Sequence, residues 1–316
     1  MSMKSRIAIF LVIAVAVASL AAAAVLRLRQ AGGPAPVHAA LAAKRDSYLG
    51  VYEPGSPPPF TEIAAFGRAV GRMPDLAGYY SGWAVPFDTG FADVLREHGI
   101  AVVVQIDPTD ASVAGIAYGS YDSYLRSYAD SVRNFGGPVV IGFGHEMNAR
   151  WYSWGYGHVQ PAVFIAAWRH VVTIFRQQGA DNVTWLWTVQ GEVPGTGPVW
   201  SWWPGSQYVT WVGIDGYYYR PSDTFGAVFG TTIDQIRHLT DKPILLSETA
   251  VGPRAGQFAK IQDLFRGMAE YKTLGLIWFD IAQHDGIYHQ DWRIEANKAA
   301  QQSFRLGVRT DLTPGA

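Results

Sequence analysis

From Tyr48 onward, short apolar runs alternate along the chain with longer segments in which apolar residues recur every three or four positions. The short runs are "YLGVY" (48–52), "AGYYS" (77–81), "AVVVQI" (101–106), "PVVIGFG" (138–144), "VTWLWTV" (183–189), "YVTWVGID" (208–215), "PILLSE" (243–248) and "LGLIWFD" (274–280). Each reads as a strand. The segments between them, such as "YDSYLRSYADSVRNFG", "PAVFIAAWRHVVTIFRQQG" and "AGQFAKIQDLFRGMAEYKTLG", have helical period and close with glycine where a helix C-cap sits. A last helix is expected over "IEANKAAQQSFRLG". Eight strands alternating with helices over about 260 residues match the usual size of an α/β (β/α)8 barrel. A doubly wound open sheet is the alternative, but it would carry a Gly-rich phosphate loop after its first strand, and "GVYEPGSPPPF" is too rich in proline to be one.

A different pattern precedes the barrel. After Lys4 and Arg6 comes an unbroken apolar run, residues 7–26, about as long as the roughly 20 residues a bilayer-spanning helix needs. Its end, "SLAAAA", suits a signal peptidase, whereas the trailing Arg27 and Arg29 suit an uncleaved membrane anchor. Residues 1–26 are therefore expected to target the chain for secretion or for tethering outside the cytoplasm. Residues 27–47, rich in Ala, Gly and Pro, read as a linker, and 48–310 as one catalytic domain.

Composition narrows the partners. Apolar residues make up 49% of the chain and charged residues 16%, so a large packed core is expected and disorder is disfavoured. With 25 basic and 26 acidic residues there is no footprint for a polyanion, which argues against nucleic acid. Cysteine is absent, which excludes disulfides and thiolate metal sites, and the eight histidines show no metal-ligand spacing. Neither metal nor cofactor is expected, and a monomer is.

In a barrel, catalytic groups sit where strands end, on the βα loops. Glu53, Asp107, Glu146, Asp215, Glu248 and Asp280 all meet that condition. Glu146 follows "IGFG", whose glycines would leave room beside it, and Glu248 ends a buried run in which an unused charge would be costly. Without Cys, a phosphate loop or H-E-x-x-H, the reaction that needs only two carboxylates is glycoside hydrolysis. Tryptophans 151, 154, 200, 202, 203 and 278 fall on expected loops or strand ends, where rings can stack on sugar faces.

"HEMNARWYSWG" closely resembles the acid/base motif of glycoside hydrolase family 26, and "LLSETA" resembles its nucleophile strand. His145 before the glutamate distinguishes that family from most of its clan, which has Asn there. The resemblance continues through "WPGSQYVTWVGIDGY", "GLIWFD" and "DWRIEANKAAQQSFR". It implies Glu146 as acid/base and Glu248 as nucleophile of a retaining enzyme. It also implies His145 and Trp151 beside the cleaved bond, Tyr217 bonded to the nucleophile, and Trp278 as a sugar platform; Trp154 is expected in substrate binding from its place among the loop aromatics. Two departures stand out: Arg150 is unusual, and the third strand ends "QIDP" where many members carry a Trp-His pair.

The expected function is hydrolysis of a β-linked polysaccharide, foremost β-1,4-mannan, with mixed-linkage β-1,3-1,4-glucan as the alternative within the family. A non-catalytic, membrane-tethered glycan-binding barrel is the alternative outside it.

Overall fold

The computed structural model describes residues 40–42, 48–252, 256–283 and 290–312. The apolar run 7–26 lies outside these, and among the described residues no helix is long and apolar enough to cross a membrane.

Eight parallel strands close into a barrel in chain order: β1 (Tyr48–Tyr52), β2 (Leu76–Gly82), β3 (Ala101–Asp107), β4 (Val139–Phe143), β5 (Val183–Gln190), β6 (Trp211–Tyr218), β7 (Ile244–Val251) and β8 (Gly275–Phe279). The helices between them are α1 (Phe60–Val70), α2 (Thr89–Glu97), α3 (Val113–Ala117), α4 (Asp122–Phe135), α5 (Pro161–Gln177), α6 (Thr231–Leu239), α7 (Gln257–Tyr271) and α8 (Lys298–Thr310). This is the expected (β/α)8 barrel.

Local chemistry accounts for the helix limits. α4 buries Leu125, Tyr128, Ala129, Val132 and Phe135 along one stripe and stops at Gly136, whose φ of 71° is left-handed. α5 starts with Pro161, whose missing N–H costs nothing in the first turn. The expected glycine cap fails for α7, which ends on Lys272 at φ 57°, because Gly275 has another task. There φ is 144°, and a Cβ would lie 1.9 Å from the Tyr48 carbonyl oxygen, so only glycine lets β8 approach β1 and close the barrel.

Because side chains alternate along a strand, every second residue faces the barrel axis. The floor of that interior is apolar: Leu76, Val103, Val140, Leu186, Trp211, Leu245 and Ile277 pack into one cluster, with Leu41 against it. At the same end, Ala40 and Leu41 donate backbone N–H groups to Thr184 Oγ1, at 3.0 and 3.2 Å. Residues 40–42, assigned to the linker by sequence, thus dock on the barrel. The opposite alternation faces the helices, where Trp168, Phe164, Phe265 and Phe304 are fully buried. Each such side chain contributes roughly 1.5–3 kcal/mol by leaving water.

Above the floor the interior turns polar. Gln105 donates to Thr188 at 3.1 Å, and Ser247 donates to Asp215 at 2.6 Å. Both strands that carry these last two residues run three residues past their expected ends, β6 to Tyr218 and β7 to Val251. The pairing of β7 with β6 shifts register between Gly213 and Asp215 of β6, and its pairing with β8 shifts between Leu246 and Thr249 of β7 itself. Bulges of this kind re-aim side chains, and here Ser247 turns to the buried Asp215 while Glu248, the next residue, reaches the cavity at the barrel mouth.

Candidate active site

The interior rows continue upward into a cavity of about 610 Å³ at the C-terminal end of the strands. Leu76 and Gly78 lead to Tyr80, Val103 and Gln105 to Asp107, Leu186 and Thr188 to Gln190, Asp215 to Tyr217, and Ile277 to Phe279. The last residue of each row lines the cavity, together with Glu248, His145, Glu146, Trp151 and Tyr152.

Glu146 lies just beyond β4 with φ at 52°, a left-handed backbone that a non-glycine residue adopts at a cost of about 1–3 kcal/mol. Its N–H donates to the Thr188 carbonyl at 3.0 Å, and its carbonyl accepts from Ala149 N–H at 2.8 Å. Asn148 locks the loop further, exchanging hydrogen bonds of 2.8 and 2.9 Å with the backbone of Gln190. The buried Met147 anchors it from below. The strain therefore sits where the surrounding bonds over-determine the turn and aim one carboxyl into the cavity.

The two glutamates receive unequal help. Trp151 Nε1 donates to Glu146 Oε2 at 2.6 Å. Burial raises the Glu146 carboxyl above its ordinary range; an imidazolium at His145 and the Trp151 bond pull it partly back. Burial likewise pushes Glu248 up to about 8, but each of its oxygens accepts from a phenol, Tyr217 on Oε1 and Tyr80 on Oε2. Donors aimed at a carboxylate stabilise the anion. Two phenols against one indole therefore favour charge on Glu248 over charge on Glu146, working against the burial that raises both.

His145 is buried between two partners, with Asp107 Oδ1 2.7 Å from Nδ1 and Tyr152 hydroxyl 3.0 Å from Nε2. Burial pulls its pKa down, yet the charge and hydrogen bond of Asp107 outweigh that and lift it to about 9. Asp215 is buried beside Glu248 in the sheet and raised by burial and by Glu146, with Ser247 donating to it.

Of the residues singled out by sequence, Glu146, Glu248, His145, Trp151 and Tyr217 come together on the cavity wall. Two others do not. Trp278 is fully buried; Ile277 and Phe279 face the interior, so the residue between them faces α8 and stacks edge-on against Phe304 at 5.1 Å. Phe279 lines the cavity at β8 instead. Trp154 is also buried, donating to the His145 carbonyl at 2.9 Å and stacking on Tyr152 at 4.4 Å. It supports the wall without forming it.

The wider ring of tryptophans contracts in the same way. Trp202 is buried, Trp200 is exposed away from the cavity, and only Trp151, half exposed, lines it. The room expected beside Gly142 and Gly144 is filled: added Cβ atoms would lie 1.7 Å from Gln105 Oε1 and 3.0 Å from Phe164. The unusual Arg150 points outward and lies over the Tyr156 ring at 4.8 Å. Glu53 and Asp280 lie off the cavity, where burial holds their carboxyls up to about 8 and about 10; Asp280 caps the Ile294 N–H at 2.6 Å.

Strand-end position singles out carboxylates and tryptophans in the sequence and so does not reveal Tyr80, Tyr152 and Gln190, which also line the cavity. Alternation counted upward from Leu76 would have found Tyr80. Tyr80→Phe should lower kcat about 10-fold or more, since a hydrogen bond to a charged group is worth roughly 1.5–3 kcal/mol. An unchanged kcat would show that the Tyr80 hydroxyl gives Glu248 no help.

Comparison with known proteins agrees with the fold. The family model for glycosyl hydrolase family 26 matches residues 103–308. The chain is 27% identical over 271 residues to endoglucanase H of Acetivibrio thermocellus, covering 80% of this chain and 29% of that protein. It is 28% identical over 141 residues to mannan endo-1,4-beta-mannosidase A and B of Caldalkalibacillus mannanilyticus, covering 41% and 25%. The chain therefore spans less than a third of the length of these relatives. Among solved structures, a mannanase from Bacillus subtilis superposes with a TM-score of 0.64 at 18% identity, over 86% of this chain and 87% of that one.

Proposed function

The chain belongs to glycosyl hydrolase family 26, and from that premise we propose that it hydrolyses a β-linked polysaccharide with retention, Glu146 giving the proton and Glu248 attacking. The observation that carries this reading is that the two glutamates line one cavity with unequal donors, one held by an indole and the other by two phenols. In the first step Glu248 attacks the anomeric carbon while Glu146 protonates the departing oxygen. Forming the ester removes the charge of Glu248, so the pKa of Glu146 falls and it accepts a proton from the attacking water.

Hollows of about 360 and 220 Å³ adjoin the cavity, one sharing Tyr80 and the other sharing Tyr217 and Tyr219. A chain lying through all three would be cut internally. Export through residues 7–26 suits such a polymer, which cannot enter a cell.

The backbone we propose first is β-1,4-mannan. Mixed-linkage β-glucan is the second reading, supported by Asp107 at the end of β3, where it engages His145, and by the long match to a protein named endoglucanase H. The protein should release reducing ends from mannan, from mixed-linkage β-glucan or from β-1,3-xylan. Proton NMR of the first product should show the β-anomer. No reducing ends from all three polymers, or a first product of inverted configuration, would end this reading.

A further inference from the structure

Three side chains cross the cavity wall in a line: Asp107 at the end of β3, His145 before the acid, and Tyr152 six residues after it. Their hydrogen atoms can be counted. Asp107 has only acceptors to offer, so His145 Nδ1 carries a hydrogen and donates to Oδ1. The direction of the second bond then depends on the charge of the ring. A neutral His145 leaves Nε2 a bare acceptor, and the Tyr152 hydroxyl must spend its one hydrogen on it. A charged His145 donates from Nε2, the Tyr152 oxygen accepts, and that hydrogen is free.

The setting favours the charged ring. The groups facing His145 are Asp107, Glu146, Asp215, Tyr152 and the Tyr80 ring at 5.1 Å, none of them cationic; burial lowers the imidazole, but Asp107, then Glu146 and Asp215, outweigh it and lift the ring to about 9. Tyr152 itself is held in place. Its ring lies flat on Trp154 at 4.4 Å with an interplanar angle of 6°, and Trp154 is bonded to the His145 carbonyl at 2.9 Å. The freed hydrogen therefore belongs to a fixed oxygen on the wall that Glu146 and Glu248 share.

We propose that Asp107 and His145 form a charge-set relay that turns Tyr152 into a hydrogen-bond donor to the sugar bound beside Glu146. Asp107 is the positioning residue and Tyr152 the group that reads the sugar. The relay rests on the cavity being a glycan site, but its first half, the charged histidine, does not depend on turnover.

The test uses Tyr152→Phe, which keeps the stacked ring and removes only the hydroxyl. On mannan and on mixed-linkage β-glucan, the ratio of wild-type to variant kcat/KM should be about 10 near pH 7, the effect of one hydrogen bond. Titrations common to both proteins cancel in that ratio. It should fall towards one as the pH rises past His145, when the Tyr152 hydrogen returns to Nε2. In an Asp107→Asn background the same substitution should cost less than about twofold at pH 7. If that background folds poorly, the pH dependence of the first ratio decides alone. A ratio constant across pH overturns the relay. Nitrogen NMR of 15N-histidine in the free protein gives the independent arm: both ring nitrogens of His145 should be protonated at pH 7. A neutral ring with a bare Nε2 there overturns the proposal, whereas a charged ring in a protein that cleaves no glycan overturns only the reading of the cavity.

Discussion

Replacing Glu248 with Ala should reduce kcat by about 10⁴-fold or more, a loss of roughly 5.5 kcal/mol at 1.36 kcal/mol per tenfold. The size follows from what is removed. Without the carboxylate there is no covalent route, and a water in its place finds two phenol donors, from Tyr80 and Tyr217, but no base to activate it. Those hydroxyls, together with the space left by the side chain, form a site for a small anion. Added azide should therefore restore turnover of an aryl glycoside with a good leaving group, giving a glycosyl azide of inverted configuration. Glu248→Gln keeps the shape and should be nearly as inactive. A non-catalytic, glycan-binding barrel predicts unchanged behaviour in both variants, so activity measurements on the pair decide between the classes.

The barrel was legible because its strands are short apolar runs separated by amphipathic helices, and that pattern survives any detail of packing. What the runs could not show was where β6 and β7 end. "GYY" after Asp215 and "TAV" after Glu248 continue the strands, and a register shift, which leaves no mark in hydrophobicity, turns Glu248 inward. That Glu146 and Glu248 share the cavity wall was legible by position, since both carboxylates stand at strand ends where an idle charge is expensive. Trp278 and Trp154 were not: strand-end location says nothing about which face a ring takes. One residue of alternation separates the buried Trp278 from Phe279 on the cavity wall. Likewise the glycines before Glu146 signalled close packing, but only coordinates show that Gln105 and Phe164 occupy the space.

The same alternation explains why the β3 departure matters. Asp107 shares an interior row with Val103 and Gln105, so a carboxylate at that height must face the cavity. An aspartate there can neither stack on a sugar nor donate to one. Its contact is His145, so in the proposed relay it acts on the ligand through that ring.

Replacing Glu146 with Ala should separate two steps that the wild type keeps matched. On a polysaccharide, whose leaving alcohol needs a proton, kcat/KM should fall by about 10³-fold, within the range general acid catalysis supplies. On an aryl glycoside whose leaving group departs unprotonated, the first step should lose far less. The second step still lacks its base, so glycosyl-enzyme should accumulate, KM should drop, and azide should speed release with retained configuration, opposite to the Glu248→Ala outcome. The pH profile carries its own sign. With Glu146 as the proposed acid, kcat/KM should fall as pH rises through its pKa. Burial raises that pKa, placing the fall above the ordinary carboxylate value near 4.3. In the Ala variant, with no acid left to deprotonate, that fall should vanish for the aryl substrate. Glu146→Gln leaves an acceptor for Trp151 Nε1 and so keeps the loop intact. If it matches the Ala variant in both substrates and in the flattened profile, the loss belongs to the proton and not to the position of Trp151. A polysaccharide rate within tenfold of wild type in either variant would remove Glu146 from the chemistry.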